Sequence, residues 1–203
     1  LYREPPHYIT LGKELPAKAL DEILTDHAEV FTELKEYYKQ TSESETTKIS
    51  FYEDTYSLYN LYRFSHYYEE AYGKYIWLKS GASLVIEHTE AMTVIDVNTG
   101  SVLKKKKQED TLFYHINREA AKEIARQLRL RNISGIIMID FINMKDTAQK
   151  EKLLSLLDSE CKKDRVHCNV IDMTALNLVE MTRSKVRKPL HEQIRSCMKN
   201  NRS

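Results

Sequence analysis

Two stretches decide the architecture: Met92-Thr93-Val94-Ile95-Asp96-Val97-Asn98-Thr99-Gly100, and Gly135-Ile136-Ile137-Met138-Ile139-Asp140. Met92 to Val97 is rich in β-formers and closes on the turn-forming Asn-Thr-Gly. Ile136 to Ile139 is continuously apolar, the pattern of a strand covered on both faces. Between them Leu112, Ile116, Ala120, Ile124 and Leu128 recur every four residues, which predicts one long amphipathic helix over 110–131, stopped by Asn132 and Gly135. Strand, crossover helix and strand make a right-handed β-α-β unit when the strands pair in parallel. Upstream, Leu84 to Glu87 joined by His88-Thr89-Glu90 to Met92 predicts a hairpin.

The pattern continues on both sides. A second helix is predicted over 147–162 and a strand over 169–172, before a basic tail at 191–203. Toward the N-terminus, 19–26 reads as a strand, and Val30, Phe31, Leu34 and Tyr38 have helical spacing. A polar 41–47 loop precedes a strand over 48–53 and a tyrosine-rich helical segment over 56–72. The fold class is α/β. Tyr59, Tyr62, Tyr67 and Tyr68 suit base stacking, but core or interface packing is the commoner use of such spacing.

Charge divides the chain at the same place as tyrosine. Residues 1–75 hold 8 Lys/Arg against 14 Asp/Glu and 12 of the 13 tyrosines, whereas residues 76–203 hold 23 against 16. Only the second part invites a polyanion. The expected organisation is a first α/β region, 1–75, a second, 76–190, and the tail, 191–203. No apolar run approaches the ~20 residues of a membrane span. Three cysteines without a C-x-x-C pair point to a reducing compartment, so a cytoplasmic location is expected. The start, Leu1-Tyr2-Arg3-Glu4-Pro5-Pro6, reads as internal to a longer chain. Five glycines, too widely separated for G-x-G-x-x-G or a Walker loop, exclude the common nucleotide cradles.

Asp96 and Asp140 each directly follow an apolar strand. Open α/β sheets bind ligands at the carboxyl ends of strands, and a parallel pair brings both ends to one edge. Two carboxylates there repel unless a hard divalent cation such as Mg²⁺ lies between them; an ion with few protein ligands keeps waters to polarise against a phosphodiester. Capping of the following loop is the competing role for each Asp. Asn98, two residues on, projects to the same side as Asp96 and suits a residue holding that carboxylate in place. A haloacid-dehalogenase-type phosphatase also places an Asp after such a strand, but its second Asp is Asn98 here. Lys104, Lys105, Lys106 and Lys107 follow the site and Arg183, Lys185, Arg187 and Lys188 form a second cationic run, both suited to the phosphates of a single-stranded nucleic acid, with a solvated loop as the competing role. His167, Cys168 and Cys161 lack zinc-site spacing, and the Asn132-Ile133-Ser134 glycosylation match is set aside.

Residues 77–190 closely resemble the catalytic half of the ribonuclease E/G family of bacterial endoribonucleases, and residues 1–75 resemble part of it more weakly. The matching stretches are Trp77 to Gly81 (WLKSG), Leu84 to Met92 (LVIEHTEAM), Ile95 to Gly100 (IDVNTG), Asn117 to Arg131 (NREAAKEIARQLRLR), Gly135 to Met144 (GIIMIDFINM) and Leu178 to Arg183 (LVEMTR). The resemblance implies a partial ribonuclease H-like subdomain over 1–75 and a deoxyribonuclease-like catalytic subdomain over 76–190. It implies that Asp96 and Asp140 bind Mg²⁺ and that Asn98 orients Asp96. The implied reaction is hydrolysis of single-stranded, AU-rich RNA to 5′-phosphate and 3′-hydroxyl ends, in RNA processing and decay. The family's N-terminal RNA-binding domain has no counterpart in these 203 residues. A catalytically incomplete RNA-binding or assembly module is therefore the alternative. Most of the family's pocket for a 5′ monophosphate likewise has no counterpart here, and where some members have an arginine two residues after Asp164-Arg165 this chain has His167, a partial substitute at most, so Arg165 and His167 are kept only as RNA-binding candidates. The Cys-Pro-x-Cys zinc link past the catalytic region is reduced to Cys197, which argues against a zinc-linked dimer and leaves a homodimer through the deoxyribonuclease-like surface open.

Overall fold

In a computed structural model, residues 6, 8–9, 20–40, 47–100 and 109–200 are described, in two compact units, 1–66 and 67–203. The first unit is small. Strands β1 (Glu22–Thr25) and β2 (Lys48–Phe51) pair in parallel, and helix α1 (Ala28–Lys39) buries Leu34 and Tyr38, with Val30 packed beside them. The tyrosine-rich segment is two helices, α2 (Leu58–Leu61) and α3 (Phe64–Tyr72), rather than one. Arg63, at φ +51°, breaks it: a left-handed residue cannot continue a right-handed helix. Tyr59, Tyr62, Tyr67 and Tyr68 are exposed, which corrects the core form of the expected packing; Tyr59 and Tyr62 lie against the Phe64 ring at 5.9 and 6.1 Å, centroid to centroid.

The second unit is a six-stranded sheet made of β3 (Tyr75–Trp77), β4 (Ser83–His88), β5 (Met92–Asn98), β6 (Gly135–Asp140), β7 (Cys168–Met173) and β8 (Leu178–Arg183), in the order β3-β4-β5-β6-β8-β7. Helix α4 (Glu109–Leu130) connects β5 to β6, which pair in parallel as the crossover pattern requires, and every other pairing is antiparallel. Helix α5 (Thr147–Cys161) starts at Asp146, whose carboxylate accepts from the Ala148 N–H at 2.9 Å, the usual N-cap device. The basic tail expected at 191–203 is largely a helix, α6 (Leu190–Asn200). Charge obscured the helical spacing of its apolar residues.

The apolar stripe of α4 (Ile116, Ala120, Ile124, Leu128) and the α5 residues Leu153 and Leu157 pack with Ile76, Leu84, Ile86, Ile95, Val97, Ile137, Ile139, Val179 and Met181 in one core. These strand residues all belong to one parity, so the helices cover one face of the sheet. On β6 the intervening Ile136 is 49% exposed and Met138 half-buried. The expectation that β6 is covered on both faces is thereby corrected: its apolar run is core on one side and open surface on the other. Among the described residues no helix is long and apolar enough to cross a membrane.

Candidate active site

The open face carries the carboxylates. Asp96 and Asp140 are register partners at the carboxyl ends of parallel β5 and β6, and in a parallel pair such partners project to the same side about 4.8 Å apart at the backbone. Asp96 is half-buried and Asp140 exposed. The Asn98 amide donates to the Asp96 carboxylate at 2.7 Å, the contact expected from their i, i+2 spacing. Partial burial, and then the Asp96 charge beside it, push the Asp140 carboxyl above its ordinary value. The two carboxylates thus meet as an electrostatic conflict that a cation would relieve.

The loops around this edge are anchored to α4. Asn117, fully buried, donates to the Ile142 carbonyl at 2.7 Å and accepts from the Ile142 N–H at 3.0 Å, fixing the chain two residues after Asp140. Glu119 accepts from the backbone N–H groups of Lys79 (2.7 Å) and Ser80 (3.2 Å). Neither residue was identified as functional from sequence. The available signal was a polar Asn117 flanked at i−4 and i+4 by apolar Phe113 and Ala121 on the same helix face. Gly100 lies against this loop: a Cβ there would be 2.6 Å from the Gly81 carbonyl oxygen, and its φ of +55° is left-handed. Gly100→Ala is expected to lower stability by about 2 kcal/mol or more, from backbone strain plus the clash. Thermal unfolding measures this, and an unchanged midpoint would mean that the two loops do not touch in solution.

Of the remaining candidates, Arg165 and His167 are described and do not gather here. Lys105, Lys106 and Lys107 lie outside the described residues. Arg165 and His167 are exposed just before β7, whose first residue pairs with Arg183, which in turn pairs with Gly135 at the start of β6. That is the opposite end of the sheet from Asp140, roughly 17 Å along a strand of this length. Arg183, counted among the phosphate-binding cations, is a buried structural residue. Its Nε donates to Asp164 at 2.9 Å, and its guanidinium also donates to the Asn132 side chain and the Ile133 carbonyl, each at 2.9 Å. Asn132, at φ +47°, donates in turn to the Arg187 carbonyl at 3.1 Å. No group of three or more His, Cys, Asp or Glu side chains suited to a metal occurs among the described residues. The donor set is therefore two hard carboxylates, which fits an ion that keeps most of its waters, as Mg²⁺ does, and not a fully protein-caged metal.

The model of the Ribonuclease E/G family matches residues 1–186, nearly the whole chain. The chain belongs to the ribonuclease E/G family. Over 190 residues it is 37% identical to ribonuclease G of Haemophilus influenzae, a match covering 94% of this chain and 38% of that protein. To ribonuclease G of Escherichia coli K12 it is 38% identical over 171 residues, 84% of this chain and 35% of the relative. Ribonuclease E of a Nostoc species is 34% identical over 176 residues, 85% and 26% respectively. The chain thus spans little more than a third, or less, of these relatives' length.

Proposed function

We propose that this chain carries the catalytic carboxylates of a Mg²⁺-dependent endoribonuclease that cleaves single-stranded, AU-rich RNA in RNA processing and decay. The observation that carries the reading is the in-register Asp96 and Asp140 at the carboxyl ends of parallel strands, within a family whose relatives are named ribonucleases. Residues 76–190 then form the deoxyribonuclease-like catalytic subdomain, and 1–75 part of a ribonuclease H-like one.

Asp96 and Asp140 would hold the ion. When bound, Mg²⁺ supplies a polarised water as nucleophile and offsets charge developing on the phosphoryl oxygens. The chain's own residues do the positioning. Asn98 keeps the Asp96 carboxylate in one rotamer, so that its free lone pairs face the site, and the Asn117 clamp holds the strand end that presents Asp140. Attack by water on the phosphorus, with departure of the 3′ oxygen, leaves a 5′ phosphate and a 3′ hydroxyl. Asn98→Ala is expected to reduce cleavage about 10- to 100-fold, the usual effect of losing a group that orients a ligand, without changing the unfolding midpoint.

The test is cleavage of a 5′-monophosphorylated, internally AU-rich RNA oligonucleotide in Mg²⁺ and in EDTA, with the new ends identified chemically. Mg²⁺-dependent cuts bearing 5′ phosphates are expected. RNA bound but uncut at every Mg²⁺ concentration would replace this reading with that of a binding or assembly module.

A further inference from the structure

The open face of the sheet continues past the carboxylates to the free edge at β3. Register places Asp140, Asp96, Val85 and Tyr75 in one row across the strands, and Asn98, Ser83 and Trp77 in the next. Register partners share a face, so Tyr75 and Trp77 stand on the side of the sheet that carries the carboxylates, while Ile76 between them enters the core. At ~4.8 Å per strand, Trp77 lies about 10 Å from Asn98. It is 73% exposed, the most of any aromatic side chain described, and Tyr75 60%.

Immediately after Trp77 the chain turns, and Lys79 and Ser80 line an open cleft of about 430 Å³ with His115, Arg118, Glu119 and Lys122 of α4. Glu119, the one carboxylate among the described residues lining the cleft, is engaged by two backbone N–H groups. Lys79, Arg118 and Lys122 form no ion pair with any described residue; Arg118 instead lies 5.7 Å from the Tyr114 ring. The same loop abuts Gly100, two residues past Asn98, and Arg118 directly follows the Asn117 clamp on Ile142. An exposed indole on the open face and, on the helix side of the same loop, three cations with no ion pair among the described residues therefore flank one loop at the carboxylate edge.

We propose that this edge is a subsite for single-stranded RNA, in which Trp77 stacks on a base near the scissile phosphate and Lys79, Arg118 and Lys122 hold the adjoining backbone phosphates. The proposal rests on the nuclease reading above and adds where the strand leaves the site. An aromatic face accepts every base and cations accept every phosphate, so the subsite gives grip without sequence preference.

Trp77 is the sole tryptophan of the chain, so intrinsic fluorescence reports on this position alone. The full chain in EDTA is titrated with a single-stranded AU-rich RNA oligonucleotide and, separately, with inorganic polyphosphate as a probe that lacks bases. RNA is expected to quench the fluorescence, and polyphosphate to bind without quenching. With end-labelled RNA followed by anisotropy, Trp77→Ala is expected to weaken binding about tenfold and Trp77→Phe to retain part of that loss. The triple change Lys79→Ala, Arg118→Ala, Lys122→Ala is expected to reduce the slope of log affinity against log salt by about two. Absence of RNA binding, or binding with unquenched Trp77 and unaltered affinity in these variants, would overturn the proposal. The nuclease reading fails separately: Trp77 quenched by RNA that is never cut in Mg²⁺ would remove catalysis and leave the subsite, whereas RNA cut without quenching would remove only the subsite.

Discussion

Asp96→Asn and Asp140→Asn are each expected to reduce Mg²⁺-dependent RNA cleavage by about 10³-fold or more. A cation facing a reacting phosphoryl group contributes several kcal/mol of charge stabilisation, at 1.36 kcal/mol per tenfold in rate. On the reading of Asp96 and Asp140 as a Mg²⁺ donor pair, neither substitution would leave a site able to hold the ion in position. Asparagine matches aspartate in shape and both side chains meet solvent, so the fold is retained. Single-turnover cleavage measures the effect; near-normal rates in both variants would sink the assignment.

The same substitution has a stability signature in metal-free buffer. The Asp140 carboxyl is pushed up by partial burial and by Asp96, so the folded state holds its proton more tightly than the unfolded chain. Its favourable contribution is complete below the ordinary aspartate value and disappears as pH rises through the raised one. At neutral pH the ionised Asp140 thus opposes folding, and Asp140→Asn in EDTA is expected to raise the unfolding midpoint at pH 7. The difference should vanish below about pH 4, near the unperturbed value. A lowered midpoint would mean that the carboxylate has a stabilising partner.

The second large effect is expected at the opposite end of the sheet. Arg183→Ala is expected to cost about 3–5 kcal/mol, because it strands a buried Asp164 carboxylate and frees the Asn132 side chain and Ile133 carbonyl from their shared donor. Asp164→Ala should cost a similar amount by leaving the guanidinium uncompensated. Replacing both by apolar residues of similar size should recover part of the loss, since no uncompensated charge then remains buried. Urea unfolding of the unit spanning residues 67–203 measures all three; a loss below 1 kcal/mol for Arg183→Ala would show that the pair is solvated. RNA binding at the carboxylate edge should survive, because Arg183 stands a strand's length away.

How much was legible in advance follows from the range of each interaction. The parallel β5-α4-β6 unit was readable because its signal is periodic: an apolar residue every fourth position fixes one helix face whatever surrounds it, and a short apolar run cannot remain in water. The i, i+2 relation of Asp96 and Asn98 was readable for a similar reason, since a strand's alternation alone puts both on one side. Three elements escaped, among them β8, which places only Val179 and Met181 in the core, with a polar residue after each. Strand β3 spans three residues, too few to show a period, and α6 carries its apolar residues among charges.

Composition and local spacing therefore determined the α/β class, the carboxylate pair as candidates, and the absence of a classical nucleotide cradle. Only the folded chain decided that Arg183 does not reach that pair. Arg183 reads as a member of a basic run, yet it is buried against Asp164, 19 residues earlier in the chain. Trp77 enters the sequence reading only within the WLKSG stretch, yet strand register carries it into line with Asn98 through Ser83. Both outcomes depend on hydrogen-bonded pairing between segments distant in sequence. Such pairing is set by burial of the whole sheet against α4 and α5 rather than by the residues beside each position, so no local window contains it.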